Sequence, residues 1–166
     1  MSEDADHDAR KEGTAAAVDD ARRIAEQRRE DGWDAVVVPA VDTAPVPEDA
    51  EQGYSGFVHV VPESVADDVE AACARAEFPQ YDAYRRQVGE EFFFVVELLD
   101  PDTETALLIA GTYRTTDAAA LYRQGSREGV VRTHLRRLNG ETLGSVEHEN
   151  VAKLFPEGMQ TVAGRQ

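Results

Sequence analysis

Residues 90–114 read EEFFFVVELLDPDTETALLIAGTYR, and the fold turns on how this stretch is taken. Two apolar runs flank DPDT, whose proline and aspartates favour a tight turn, so the segment predicts a β-hairpin. A strand that faces water on one side alternates apolar and polar residues. These runs are almost continuously apolar, which predicts that both faces are covered and that the two strands are central in a sheet. Glu97 interrupts the first run. The DPDT turn sets it opposite Ala106, close to the hairpin end, as a rim carboxylate reaching water.

Working outward, TTDAAALYRQGSREG (115–129) predicts a helix capped by Thr116, with Ala118, Leu121 and Tyr122 turned inward. GVVRTHLRRLNGETLGSVEHE (129–149) predicts a second hairpin about Asn139-Gly140. That turn pairs Arg136 with Leu143, His134 with Ser145, Arg132 with Glu147 and Val131 with His148. NVAKLFP (150–156) closes as a short helix. On the N-terminal side, QYDAYRRQVG (80–89) predicts a short helical turn, and ESVADDVEAACARAEF (63–78) a helix capped by Ser64. Its apolar face carries Val65, Val69, Ala72, Cys73 and Ala76. WDAVVVPAV (33–41) and YSGFVHVVP (54–62) predict strands separated by a proline-containing loop. TAAAVDDARRIAEQRREDG (14–32) predicts a helix with a thin alanine-rich stripe, suited to lying across a sheet.

The expectation is one α+β domain over residues 14–155: a mostly antiparallel sheet of about six strands with three or four helices packed on it. Residues 1–13 are expected as a disordered acidic tail, and 156–166 as a flexible C-terminal tail.

The chain has 166 residues and a net charge of −16, from 33 acids and 17 bases. Of the bases, only Lys11 and Lys153 are lysine. Two like charges about 10 Å apart in water repel by roughly 0.4 kcal/mol, and 1 M salt shortens the screening length to about 3 Å. The composition therefore suits a salt-rich setting. Cys73 is alone, so neither a disulfide framework nor a cysteine metal cluster can form. No secretory leader and no membrane-length apolar run is evident, which predicts a cytoplasmic protein. No HExxH, P-loop, GxSxG or dinucleotide fingerprint is found, so no catalytic residue, metal ligand or cofactor is assigned.

Against the acidic background, residues 113–139 carry six arginines and only two acids, Asp117 and Glu128. The hairpin register sets Arg132, His134 and Arg136 on one face and sends His148 to the other, which rules out a two-histidine metal site in that register. Arginine suits planar oxyanions, so this face is a candidate site for an anion or a partner protein. The simpler reading is a solvated face whose arginines pair with neighbouring acids, as Arg132 would with Glu147. Arg114, Thr115 and Thr116 form a second candidate, where a strand passes into a helix N-terminus; there the simpler reading is an ordinary cap. Nucleic acid is disfavoured, because the acidic surface repels phosphate and salt weakens counterion-release binding.

REDGWDAVVVPAVDTAP, FFFVVELLDPDTETALLIAGTYRT and THLRRLNGETLGSVEHE together resemble small haloarchaeal proteins of unknown function, over residues 14–155. The resemblance implies a salt-loving host and brings no activity or site residue with it. Two functional expectations stay open. One is a non-enzymatic binding or adaptor module for a protein or a small anionic ligand. The other is an enzyme on a small anionic substrate, with Arg114, Arg132 and His134 around a pocket. An apolar β edge would also allow a homodimer.

Overall fold

A computed structural model describes residues 3–47 and 54–159. The segment 90–114 forms two strands, β5 (Glu91–Asp100) and β6 (Thr105–Arg114), paired antiparallel from Asp100↔Thr105 to Glu91↔Arg114. Both are buried along nearly their whole length and lie in the middle of a sheet. The loop, residues 101–104, is two residues longer than DPDT suggests, so Glu97 faces Leu108 rather than Ala106. Asp100 fixes that turn: its carboxylate accepts the amides of Asp102 (3.0 Å), Thr103 (3.3 Å) and Glu77 (2.8 Å). These bonds, led by that from Glu77, hold its pKa below the ordinary aspartate value.

The sheet is completed by β1 (Asp34–Pro39), parallel to β6, and by β4 (Gln80–Val88), antiparallel to β5, in the order β1-β6-β5-β4. A second sheet contains β2 (Asp42–Val46), β3 (Gly56–Val60), β7 (Val131–Arg136) and β8 (Thr142–His148), in that order, with β3 and β7 parallel. The molecule is thus a single α+β domain with two mixed four-stranded sheets, where one mostly antiparallel sheet of about six strands was expected. Two segments account for the extra strands. Residues 80–88 form β4 rather than a helical turn: Tyr81 and Ala83 turn inward and are half-buried, while Asp82 and Tyr84 are exposed. The proline-containing loop conceals β2, an edge strand where Pro45 removes no ladder bond that the sheet needs.

The chain crosses between the sheets at Ala40 and Val41. Ala40 donates to Ala110 of the first sheet (2.9 Å) and Val41 to Val60 of the second (2.8 Å). Between the sheets lies the main core, built on Val38, Phe57, Phe92, Phe94, Leu107, Ile109 and Leu135. Tyr113 stacks on Phe92 and Phe57 there, and its hydroxyl donates to Leu154 O at 2.9 Å.

Helix α1 (Glu3–Glu30) covers the other face of the first sheet, with Ala17, Ala21 and Ala25 against Val95, Ala106, Leu108 and Ala110. It begins well before Thr14, so the stretch expected as an acidic tail lies in the helix from Glu3 onward. Gly13 meets the Phe93 ring so closely that a Cβ there would stand 2.3 Å from it. Helix α2 (Glu63–Arg75) buries Ala66, Val69 and Ala72; its cap is Pro62, not Ser64. A 3-10 turn (Thr115–Ala118) leads into α3 (Ala119–Glu128), which buries Leu121 and Tyr122 and ends at Gly129 in the left-handed region (φ 78°). A second 3-10 turn, Val151–Leu154, follows β8. Of the expected C-terminal tail, residues 160–166 lie outside the described residues, as do 48–53 of the proline-containing loop. Among the described residues, no helix is long and apolar enough to cross a membrane.

Candidate functional site

Where α1 passes over the Arg114 end of β6, a cleft of about 580 Å³ opens. One wall is the first part of α1, with His7, Arg10, Lys11 and Thr14; the opposite wall is the Ala40–Thr43 crossing. The floor is Glu91, Thr112, Tyr113 and Arg114, and Asp117 stands at the rim. Strand geometry explains the grouping. Glu91 and Arg114 are register partners at the open end of the β5–β6 hairpin, and side chains there leave the sheet beside the helix.

Glu91 is the hub of this cleft. Arg10 approaches Oε1 with Nε (3.1 Å) and Nη2 (2.7 Å), and the Thr112 hydroxyl shares its one proton between Oε2 (3.2 Å) and Phe92 O (2.9 Å). Arg114 Nε stands 3.7 Å from Oε1. The cleft therefore already holds one carboxylate among arginines and a hydroxyl. Lys11 makes no ion pair with a described residue, and the Arg114 side chain is more than half exposed. Behind the wall, Thr43 Oγ1 shares a 2.8 Å hydrogen bond with Nδ1 of the buried His59.

Of the residues singled out from sequence, Arg114 lines this cleft. Thr115 and Thr116 lie on the 3-10 turn beyond it; the turn is preceded by Arg114 with no side-chain cap, so Thr116 is not the capping residue. Arg132, His134 and Arg136 lie on the second sheet and none of them lines the cleft. The structure does not bring Arg114 together with Arg132 and His134.

The hairpin register holds at Val131↔His148, Arg132↔Glu147 and His134↔Ser145, then shifts at a bulge, so that Arg136 faces Thr142 rather than Leu143. The side chains on this face are engaged locally. Arg132 pairs with Glu147 at 3.4 Å. Arg136 stacks over Tyr54 (4.1 Å to the ring centre), and its Nη1 donates to the Tyr54 hydroxyl at 3.1 Å. His134 Nε2 donates to Ser55 O (2.9 Å), which leaves Nδ1 to accept from Ser145 Oγ (2.8 Å). Burial lowers its pKa, which favours the neutral ring. Arg137 is clamped by Asp67 (2.8 Å) and Glu63 (3.0 Å). Of the six arginines of the positive island, Arg114, Arg132 and Arg137 pair with described acids, whereas Arg136 rests on Tyr54 and its buried Nε has no hydrogen-bond partner among the described residues.

Glu97 is a correction to the sequence reading. It is 1% exposed, not at the rim, and is held by Arg28 through Nε–Oε2 (2.9 Å) and Nη2–Oε1 (3.3 Å), with the guanidinium over Trp33. Its hydrogen bond raises the Arg28 pKa. No local pattern around Glu97 points to this partner 69 positions away. Arg10 and Lys11 were hidden for a different reason: they belong to a polar stretch with no apolar period. Among the described residues, no group of three or more His, Cys, Asp and Glu is placed to hold a metal ion.

A family model described as "Family of unknown function (DUF7529)" matches residues 2–156. No curated protein and no solved structure matches the chain.

Proposed function

The chain belongs to this family of unknown function, and from its geometry we propose a non-enzymatic binding module that takes a small anionic ligand in the α1–β6 cleft. The observation that carries the reading is Glu91: an internal carboxylate lies under Arg10, Thr112 and Arg114, in a chain that is otherwise strongly acidic. An incoming carboxylate or phosphate would meet Lys11 and the outer edge of Arg114, where arginine offers a planar pair of donors. Two lining hydroxyls lie beside a base, Thr112 next to Glu91 and Thr43 on His59, but Glu91 is already ion-paired with Arg10 and burial lowers the His59 pKa to about 3, which favours binding over turnover. On this reading Arg132, His134 and Arg136 serve the fold of the second sheet. The charge excess and scarcity of lysine support a salt-rich cytoplasm as the setting.

Native mass spectrometry, after purification in molar KCl and exchange into volatile salt of matched ionic strength, tests the assignment. A retained anionic molecule should survive in Arg132→Glu/Arg136→Glu and disappear in Lys11→Ala/Arg114→Ala. The converse pattern would move the site to the hairpin face. Retention in both variants, or a bare chain that also gives no heat with inorganic phosphate or succinate in calorimetry, would refute it.

A further inference from the structure

Strand β4 ends the first sheet, and among the described residues no strand pairs with its outer side. Helix α1 packs on β1, β6 and β5, leaving a groove between its Gly13–Asp20 stretch and Tyr84–Arg86. From Tyr84 to Val88 every residue is exposed, including Tyr84 (46%) and Val88 (47%). Natural edges are usually blunted by charged side chains, a proline, a bulge or a covering segment; of these β4 has the charges, Asp82, Arg85 and Arg86. β4 has no proline, and its register with β5 runs unbroken for nine residues. The Ala83 amide is turned to its own neighbour, Asp82 Oδ1, at 2.9 Å. By the alternation of an antiparallel ladder, the backbone groups of Tyr81, Ala83, Arg85 and Gln87 then point away from β5.

We propose that β4 pairs with β4 of a second copy of this chain, antiparallel and centred on Tyr84, joining two four-stranded sheets into one of eight. Charge complementarity selects both occupant and register. Centred on Tyr84, Asp82 faces Arg86 of the second copy and Arg86 faces its Asp82, so the two-fold axis creates the ion pair twice. The same register sets Ala83 against Arg85, so both carry outward backbone groups and can exchange hydrogen bonds. Tyr84 meets Tyr84 at a position without ladder bonds, where side chains come closest. Shifting the centre to Arg85 or Arg86 sets arginine against arginine; shifting it to Ala83 leaves Asp82 opposite Tyr84. In the free chain Asp82 occupies the Ala83 amide and stands 3.9 Å from Lys153. On pairing, that amide passes to a carbonyl of the second copy and the carboxylate is released to Arg86. The Arg85 side chain is not needed, since it already donates to Ala152 O and Phe155 O.

Sedimentation equilibrium of the full chain in KCl, over a wide range of protein concentration, tests the interface. The wild type should show a reversible monomer–dimer equilibrium. Asp82→Arg sets arginine against arginine twice and Arg86→Asp sets acid against acid twice, so each alone should weaken dimerisation by about tenfold or more. Mixing the two single variants should restore the dimer, because both contacts are then of opposite charge, and so should Asp82→Arg/Arg86→Asp in one chain. Recovery on mixing also shows that the single variants are folded. A wild type that is monomeric throughout, single variants that dimerise like the wild type, or a mixture that stays monomeric would each overturn the proposal.

Discussion

Truncating Arg28 to alanine would leave the Glu97 carboxylate buried opposite Leu108 without its partner. Breaking such a pair from one side costs about 3 kcal/mol or more, mostly the desolvation of the charge left behind. Arg28→Ala should therefore lower the urea midpoint sharply, whereas Arg28→Met/Glu97→Leu should recover most of the loss. Equal destabilisation by both would show that packing, not the stranded charge, is what matters. His59 and His148 make the opposite kind of demand. Burial is the leading cause that lowers their pKa, to about 3 and about 4 respectively, and each shares a hydrogen bond with a threonine, Thr43 or Thr133. In the unfolded chain both titrate near about 6.5. Between those values the unfolded state holds the extra protons, so their contribution favours folding fully above pH about 6.5 and declines as pH falls towards about 4. The slope is up to about 1.4 kcal/mol per pH unit for each histidine. Urea titrations from pH 7 to pH 4 should show this slope, and His59→Gln should flatten it. An unchanged slope in the variant would mean that His59 is not the group being protonated.

At the scale of elements, α1 depends on a residue that weakens helices. Alanine is better than glycine in a helix interior by about 1 kcal/mol, yet Gly13 is where the Phe93 ring lies against the helix. Gly13→Ala should lower the melting temperature despite its better propensity, and adding Phe93→Leu should recover part of it. A stabilised Gly13→Ala would mean that the ring moves aside freely. This contact also explains what the sequence could and could not disclose. The β5–β6 hairpin was legible because apolarity on both faces is a local pattern, and the Ala17, Ala21, Ala25 stripe because its period is local too. The β7–β8 register was legible up to the bulge because Asn-Gly sets it at short range. β4 and β2 were not legible, since an exposed edge strand lacks a strong apolar pattern and Pro45 imitates a loop. Nor were Arg10 and Lys11 legible as site residues: they reach the cleft through a helix extension whose reason for existing, the surface of the first sheet, is remote in sequence.

For the molecule as a whole, the formal charge of −16 sits on a domain of 166 residues. Many exposed acids have no counter-charge, so self-repulsion opposes compaction wherever salt does not screen it. Melting temperature should therefore rise steeply between dilute buffer and molar KCl; an unchanged value would sever the acidic surface from salt tolerance. The parallel pairing of β1 with β6 has a different consequence, one that concerns synthesis. Asp34 lies beside Thr105, 71 positions later in the chain. At roughly 5–20 residues per second, β1 leaves the ribosome several seconds before its partner strand exists. During that interval the apolar run Ala35–Val38 and the alanine stripe of α1 have no sheet to cover them, because the β4–β5–β6 meander that receives both is still being made. Residues 3–38 of the nascent chain therefore expose this apolar surface until the meander emerges, and the docking of α1 and β1 can only follow it, so this part of the fold is completed backwards along the chain.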